Sequence, residues 1–314
     1  MRRNPSKYFS VDRWAGIRPA RRRAPYAPAL PPAGGRIGRE APAGWISVRC
    51  ESLPAPDKAP EFNEDAYACR RTPDGQRLFI AVADGVGSGT YSGLWARTLT
   101  EAVADAWMEA RADVGEAALL GPGWLAVARA AFRAAVIPRL DGDTLGALAL
   151  ERRPGAATLA VLSVDLATMT AQTWAMGDSC VLRLAAVAQE AYVLAGCPAT
   201  AGQAPAQLSC RPSAPGRAAT PGETPDAPLE FHFTADDTLI IVSDAIGDLV
   251  ASPDLDAHER YRVAQAAVEA VAAGPERFVA HVATARDDAR YGHDDTTLAV
   301  VSFPEVVEFT RARR

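Results

Sequence analysis

The sequence predicts an α+β fold: a four-layer α-β-β-α sandwich in which two mostly antiparallel sheets are flanked by helix pairs. The first observation is the order of the predicted elements, which runs strands, two helices, strands, two helices and a final strand. The second is that most links between consecutive strands are short, which favours antiparallel pairing. Two helix pairs can then cover the outer faces of two sheets.

The elements of the first half are predicted from short apolar runs and from helical spacing. Strand-like runs rich in Val, Ile, Leu and aromatic residues lie at residues 45–51, 65–70 and 77–84. Pro73-Asp74-Gly75 is a turn signal before the third of them. The glycine loop 85–89 precedes a helix at 92–112, in which apolar residues recur near helical spacing, and a second helix is predicted at 124–137.

The second half returns to strands and ends with two helices and one more strand. Strands are predicted at residues 157–164, 171–177, 181–184, 229–233, 238–243 and 297–303, and helices at 257–273 and 275–288. Residues 189–228 are rich in Ala, Pro, Thr and Gly and have no periodicity, so we interpret them as a long surface loop or insertion.

Length and composition predict one globular domain with tails. The chain has 314 residues, of which 48% are hydrophobic and 23% charged, as in ordinary globular proteins. We expect a disordered, basic, Pro/Arg-rich leader at 1–44, a folded domain at 45–305 and a tail at 306–314.

The distribution of apolar residues and cysteines predicts a cytoplasmic protein without a membrane span. No apolar run reaches the roughly 18 residues that a spanning helix needs, and the N-terminus lacks the apolar stretch of a signal peptide. The five cysteines are odd in number and contain no Cys-x-x-Cys pair, which favours reduced thiols.

The leader is strongly basic, with ten Arg or Lys residues against two acidic ones in residues 1–40. Such a segment can contact nucleic acid or an acidic partner, but a disordered extension without a specific partner is the favoured interpretation. Because the rest of the chain is acidic and has no recognised nucleic-acid-binding fold, no specific nucleic-acid partner is expected.

Aspartates lie at the ends of the apolar runs. Three runs end on Asp84, Asp178 and Asp244, and a fourth begins directly after Asp294 and Asp295. A carboxylate at the end of a buried strand is costly unless it is paired, hydrogen-bonded or holding a metal. Several of them at one sheet edge repel one another and need a cation between them. The pattern therefore predicts a metal-dependent enzyme.

The donor set predicts which metal would bind. The segments around these aspartates offer hard oxygen atoms, and neither Cys nor His recurs at ligand spacing, so Mg²⁺ or Mn²⁺ is expected. The glycine loop is not a Walker A loop, because no Gly-x-x-x-x-Gly-Lys-Ser/Thr occurs. An aspartyl-phosphate (haloacid dehalogenase) phosphatase is excluded too, because its Asp-x-Asp does not follow a buried strand here.

In order and spacing, five segments of the chain resemble motifs of the protein phosphatase 2C-type (PPM) metal-dependent Ser/Thr phosphatases. The family patterns are Glu-Asp, Asp-Gly-x-Gly, Gly-Asp-Ser, Ser-Asp-Gly and Asp-Asp/Asn-x-Thr. The matching segments are Asn63-Glu64-Asp65, Ala83 to Gly89, Gly177-Asp178-Ser179, Ser243 to Asp248 and Gly292 to Thr296. The loop after Ala83 is similar to that of the bacterial subgroup, and the resemblance covers about residues 45–303.

The resemblance implies a role for each matching residue. Asp84 would bridge two metal ions, with the Gly85 carbonyl on one of them. Asp244 and Asp294 would complete one metal site, and Asp84, Asp244 and Asp294 are the expected catalytic residues. Asp65 and Glu64 would support the other ion, Glu64 through water. Asp178 would hold, with Asp244, a weaker third ion. These implied ligands are Glu64, Asp65, Asp84, Gly85, Asp178, Asp244 and Asp294.

The chain departs from the family pattern at three positions. The phosphate-binding arginine usually lies five residues before the aspartate of the Glu-Asp pair, where this chain has Pro60. Lys58, or an arginine such as Arg70, is then the candidate phosphate ligand, although lysine lacks the bidentate fork. Ala245 replaces a usual glycine, and Cys180 stands where an arginine often follows Gly-Asp-Ser.

The resemblance implies hydrolysis of phosphoserine or phosphothreonine on proteins by a water or hydroxide bridging two Mg²⁺ or Mn²⁺ ions, without a phosphoenzyme. The partners would be a phosphorylated protein and an opposing Ser/Thr kinase. His293 is a possible general acid, although a loop histidine beside two aspartates is more often a surface hydrogen-bonding group. The alternative function is a pseudophosphatase that binds phosphoproteins without turnover, which Pro60 and Ala245 motivate.

Overall fold

Helices, sheet, sheet and helices stack as four layers in the computed structural model of the chain, which describes residues 46–109, 122–196, 206–211 and 228–303. The α+β sandwich predicted from the sequence is confirmed. The predicted leader at 1–44 and tail at 306–314 lie outside the described residues. No helix in the described ranges has the length and apolar character needed to cross a membrane.

The strands and helices have the following bounds. The strands are β1 (Ser47–Leu53), β2 (Ala66–Arg71), β3 (Arg77–Ala83), β4 (Ala156–Ala157), β5 (Leu159–Asp165), β6 (Thr170–Met176), β7 (Cys180–Ala185), β8 (Glu190–Ala195), β9 (Leu208–Ser209), β10 (Leu229–His232), β11 (Asp237–Val242) and β12 (Thr296–Ser302). The helices are α1 (Ser92–Glu109), α2 (Pro122–Leu140), α3 (Thr144–Arg152), α4 (Asp244–Val250), α5 (Ala257–Ala273) and α6 (Pro275–Asp287).

The strands form two main sheets, and every strand pair within the described residues is antiparallel. The first sheet has the order β1-β12-β11-β7-β8, and the second has the order β10-β6-β5-β3-β2. The strands β4 and β9 pair with each other as a third, two-stranded sheet.

Both faces of the central strands are buried, which explains their unbroken apolar sequences. In β3, Ile80 and Val82 pack between the two sheets, whereas Phe79 and Ala81 pack against the layer of α1 and α2. Every other strand residue points to the opposite face, so a strand buried on both sides needs apolar residues at all positions. The strand β11 follows the same rule, with alternate residues facing the sheet interior and the layer of α4, α5 and α6.

Polar contacts fix the helices at defined points. The fully buried Trp95 of α1 donates its indole N–H to the Leu208 carbonyl oxygen of β9 at 2.6 Å. Asp256 and Glu259 form a capping box at the start of α5, an arrangement that satisfies two otherwise unpaired backbone N–H groups. The first contact ties α1 to β9, and the second fixes the point at which α5 begins.

Some predicted boundaries were wrong. Residues 190–195, predicted as part of a loop at 189–228, form β8, because Ala191 is buried and pairs with Leu184 of the neighbouring strand. Residues 208–209 form β9, and residues 197–205 and 212–227 lie outside the described residues. The short helices α3 and α4 were not predicted.

Candidate metal centre

The antiparallel topology brings the predicted acidic residues to one edge of the sandwich. In the second sheet, Ala66 at the start of β2 pairs with Ala83 at the end of β3. Asp65 and Asp84, the next residues outward, are therefore neighbours. An antiparallel pair always places the start of one strand beside the end of its partner.

The first sheet brings its acidic residues to the same edge by the same rule. Val242 at the end of β11 pairs with Cys180 at the start of β7 and with Leu298 near the start of β12. The segments that carry Asp178, Asp244 and Asp294 directly precede or follow these residues. Five segments that are distant in sequence thus meet at one place.

Asp65 and Asp84 are strongly perturbed by this environment. Burial raises the pKa of Asp65 to about 8, and the charges of Asp295 and Asp244 add to this rise. The hydroxyls of Thr297 and Ser243 partly offset it, although neither meets the geometry of a hydrogen bond to Asp65. Burial also raises the pKa of Asp84 well above its usual range, with further contributions from Asp65 and Asp244. Crowded carboxylates without a cation favour protonation.

Asp178 and Asp244 share this electrostatic environment. Burial raises the pKa of Asp244 to about 6, and the charges of Asp178 and Asp294 add to it. The pKa of Asp178 is raised mainly by burial, with Asp248 and Asp294 as its acidic neighbours. The charges of Asp178 and Asp294 thus act on Asp244 at this edge.

Several oxygen atoms of this cluster are buried without a hydrogen-bond partner among the described residues. They are both carboxyl oxygens of Asp65 and Oδ1 of Asp178 and Asp244. Across the described ranges, no three acidic, imidazole or thiol groups already surround a single point as metal ligands do. Instead, the interaction between the Asp84 and Asp244 side chains adds to the raised pKa of Asp84. Buried, unpaired oxygen ligands of this kind fit a hard divalent cation.

The glycine loop packs directly against the chain segment before β2. A Cβ atom on Gly85 would lie 2.7 Å from the Glu64 carbonyl oxygen and 2.9 Å from the Ser92 carbonyl carbon. Because both neighbours are backbone atoms, only glycine allows this approach. Gly85 therefore sets the distance between Asp84 and the Glu64-Asp65 pair.

Lys58, the predicted phosphate ligand, lies among acidic groups. Its ammonium is 2.8 Å from Oε2 of Glu64, 3.1 Å from Oδ2 of Asp295 and 3.8 Å from Oδ1 of Asp294. The fully buried Asp295 also accepts hydrogen bonds from the backbone N–H groups of Ala55 and Glu64, both at 2.6 Å. Asp295 therefore ties three segments together at the edge of the site.

Arg286 supports the loop that carries Asp294, and sequence reasoning did not identify it. From the last turn of α6 it donates to the carbonyl oxygens of Pro54 and Asp294 and to the Thr296 hydroxyl. The sequence did contain a signal for it. Arg286 lies four residues after the buried Val282, so both residues are on the apolar face of the helix.

Three further positions considered from the sequence, His293, Arg70 and Ala245, lie in different surroundings. His293 is exposed, and its ring makes no hydrogen bond with the described residues. Arg70 forms ion pairs with Glu101 and Asp105 on α1. Ala245 lies in α4 without a positive φ, so replacing a glycine there strains nothing.

The chain is similar to known proteins in its sequence family and in its fold. The family model described as Protein phosphatase 2C matches residues 58–273. No curated protein matches significantly. A serine/threonine phosphatase from S. agalactiae is 14% identical, with 82% of this chain and 100% of that chain covered and a TM-score of 0.50. A C. elegans sex determining protein is 17% identical, with 84% of this chain and 66% of that chain covered and a TM-score of 0.53.

The two comparisons carry different conclusions. The structural likenesses, at 14% and 17% identity, show a shared fold. The family match spans more than half of the 314 residues and includes the segments of Glu64, Asp65, Asp84, Asp178 and Asp244. The chain therefore belongs to the protein phosphatase 2C family, a family of metal-dependent phosphatases.

Proposed function

We propose that the chain hydrolyses phosphoserine and phosphothreonine on proteins, using Mg²⁺ or Mn²⁺. The metal would be held at the carboxylate edge, by which we mean the edge of the sandwich that carries Asp65, Asp84, Asp178, Asp244 and Asp294. The observation that carries the proposal is the convergence of five aspartates at one edge. Three of them, Asp65, Asp178 and Asp244, have unpaired, buried oxygen atoms, and these three and Asp84 have raised pKa values. The substrate would be a phosphoprotein produced by a Ser/Thr kinase, in the cytoplasm.

The cluster divides into proposed ligand sets around Asp84, whose charge interacts with Asp65 on one side and with Asp244 on the other. We assign Asp84 as the bridging ligand, Asp65 and Glu64 to one side, and Asp244 and Asp294 to the other. Asp178 and Asp244 would hold a weaker third ion. When bound, the ions would activate a water molecule and offset charge on the phosphoryl group.

Lys58 is the candidate phosphate ligand in place of an arginine at Pro60. An ammonium has three N–H donors, and two of them are directed to Glu64 and Asp295. The third can donate to a phosphoryl oxygen. His293, exposed on the same loop as Asp294, is the candidate acid that protonates the leaving oxygen.

The second candidate function is a pseudophosphatase that binds phosphoproteins without turnover. It is favoured by the absence of a basic side chain at Pro60, which begins a short 3-10 turn (Pro60–Phe62). The ion pairs of Lys58 also draw its charge toward the protein's own carboxylates. The two functions differ in turnover and share metal binding.

The test is phosphate release from a phosphothreonine peptide by the full chain with Mn²⁺, with Mg²⁺ and with EDTA. We expect activity that requires metal and that falls at least about 100-fold in Asp84→Asn and Asp244→Asn, since even groups behind the ligands change metal affinity 10–100-fold. Asp141→Asn, on an exposed loop, is the matched control and keeps full activity.

Other results would contradict the proposal or would select the second candidate function. Activity that survives EDTA, or that survives Asp84→Asn, contradicts the proposal. Metal binding without turnover in the wild-type chain would select the pseudophosphatase.

A further inference from the structure

A cavity of about 220 Å³ lies beside the glycine loop, next to the carboxylate edge. Its wall includes Val86, Ser88, Gly89, Arg153, Pro154 and Gln207. One side of the cavity is therefore the loop that follows Asp84, and the other side is the segment between α3 and β4. Neither the metal ligands nor Lys58 line it.

Backbone hydrogen bonds fix the two sides of the cavity to each other. The N–H of Thr90 donates to the Arg153 carbonyl at 2.8 Å, and the N–H of Val86 donates to the Ala156 carbonyl at 2.9 Å. Two residues further on, the N–H of Thr158 donates to the Asp84 carbonyl at 2.9 Å. Backbone hydrogen bonds thus connect the segment of Arg153 to Asp84, the central residue of the carboxylate cluster.

Arg153 contributes positive charge to the cavity wall. Arg153 is exposed, and its guanidinium has no hydrogen-bond or ion-pair partner in the described part of the chain.

We propose that this cavity binds an acidic side chain of the phosphoprotein substrate, through Arg153, while the phosphorylated residue lies at the carboxylate edge. The inference rests on the proposed function and adds a substrate preference to it. A guanidinium pairs with a carboxylate through two parallel hydrogen bonds, and the cavity volume suits one side chain. Substrates with Asp or Glu next to the phosphorylated residue would therefore be preferred over neutral ones.

The experiment compares two phosphothreonine peptides of equal length, one with Glu and one with Gln at the positions flanking the phosphothreonine. With Mn²⁺ and the full chain, we expect the KM of the Glu peptide to be about tenfold lower, the ratio that corresponds to about 1.4 kcal/mol. Arg153→Glu should abolish or reverse this ratio. Arg262→Glu, on α5 in the opposite helical layer, should preserve it.

The other outcomes overturn the proposal. Equal KM values for the two peptides in the wild-type chain, or a preference that survives Arg153→Glu, would do so. If Arg153→Glu raises the KM of both peptides equally, Arg153 contacts the phosphoryl group and not an acidic neighbour. If the wild-type chain has no turnover, the same ratio is measured as Kd by fluorescence anisotropy, so that failure of catalysis and failure of this subsite are distinguished.

Discussion

Asp65 and Asp295 are two buried carboxylates in one site with opposite surroundings. The oxygens of Asp295 accept hydrogen bonds from Ala55, Glu64 and Lys58, so the protein itself satisfies that charge. Both oxygens of Asp65 lack such a partner among the described residues. Burying an unpaired charge is unfavourable, so Asp65 destabilises the metal-free fold and is suited to a cation.

Replacing Asp65 with Asn should stabilise the metal-free protein. Removing one unpaired buried charge is expected to contribute roughly 1–3 kcal/mol, and at this size each kcal/mol raises Tm by about 2–4 °C. Thermal unfolding in EDTA at pH 8 measures the effect. Asp254→Asn, at an exposed position, is the control and should leave Tm unchanged.

The pH dependence of the same variant gives an independent check. The pKa of Asp65 rises from 3.8 to about 8 on folding, so the native state binds the proton more tightly than the unfolded state. Stability of the metal-free protein should therefore fall as pH rises from about 4 to about 8. In Asp65→Asn this fall should be smaller. If Asp65→Asn lowered the Tm and left the dependence of stability on pH unchanged, the unfavourable burial of the Asp65 charge would be contradicted.

At the scale of elements, two of the three glycines in the loop between β3 and α1, Gly85 and Gly87, have different steric requirements. A Cβ on Gly85 would meet backbone atoms at 2.7 and 2.9 Å, whereas a Cβ on the exposed Gly87 would meet only Oε2 of Glu64 at 3.4 Å. The first contact forces the loop and the Glu64 backbone apart, and the second is ordinary van der Waals contact. The two positions form a matched pair for substitution.

We predict that Gly85→Ala destabilises the protein by about 1–3 kcal/mol, the usual cost of overpacking, and weakens Mn²⁺ binding. Gly87→Ala should change both quantities little. Urea unfolding and metal titration of the two variants measure the difference. Equal effects of the two substitutions would show that the close approach of Gly85 to Glu64 does not matter.

The helix α6 supports the carboxylate edge through Arg286, which joins the segment of Pro54 to the loop of Asp294. Arg286→Leu removes these donors from carbonyls near the site. We expect a loss of about 1–3 kcal/mol in stability, because buried acceptors lose their partner, and a 10–100-fold weaker Mn²⁺ affinity, as for other groups that orient ligands. Arg277→Leu, exposed on the same helix, is the control. An unchanged Mn²⁺ affinity in Arg286→Leu would contradict the prediction that Arg286 orients the residues of the carboxylate edge.

Sequence reasoning recovered the elements whose two faces are buried. The strands β3, β11 and β12 are unbroken apolar runs, and their prediction needed only local pattern. The strand β8 was missed because one face is exposed, with Tyr192 on it, and because it borders an Ala/Pro-rich segment. The helix α3 is only nine residues long, so it has few turns over which a helical period can be recognised.

At the scale of the whole molecule, the carboxylates could be placed from sequence because strand ends on a shared edge meet. Their supporting contacts could not be, because they join distant parts of the chain. The hydrogen bond from Lys58 to Asp295 spans 237 positions, and those from Arg286 to Pro54 span 232. Such pairs depend on how the two sheets stack, which no local pattern contains.

The carboxylate edge also brings the two sheets together, because Asp65 and Asp84 belong to one sheet and Asp178, Asp244 and Asp294 to the other. An ion bound between them would bind the folded state and not the unfolded chain, and would therefore stabilise the whole fold. At 100 times its Kd, a ligand of this kind contributes about 2.7 kcal/mol.

The central claim is that this carboxylate edge is a divalent metal site, and calorimetric titration of the metal-free full chain with Mn²⁺ tests it most directly. We predict saturable binding by the wild-type chain and by Asp141→Asn, and binding at least about 100-fold weaker in Asp84→Asn, because Asp84 is the proposed bridging ligand. A wild-type chain that takes up no Mn²⁺, or an Asp84→Asn variant that binds it equally well, would contradict the claim.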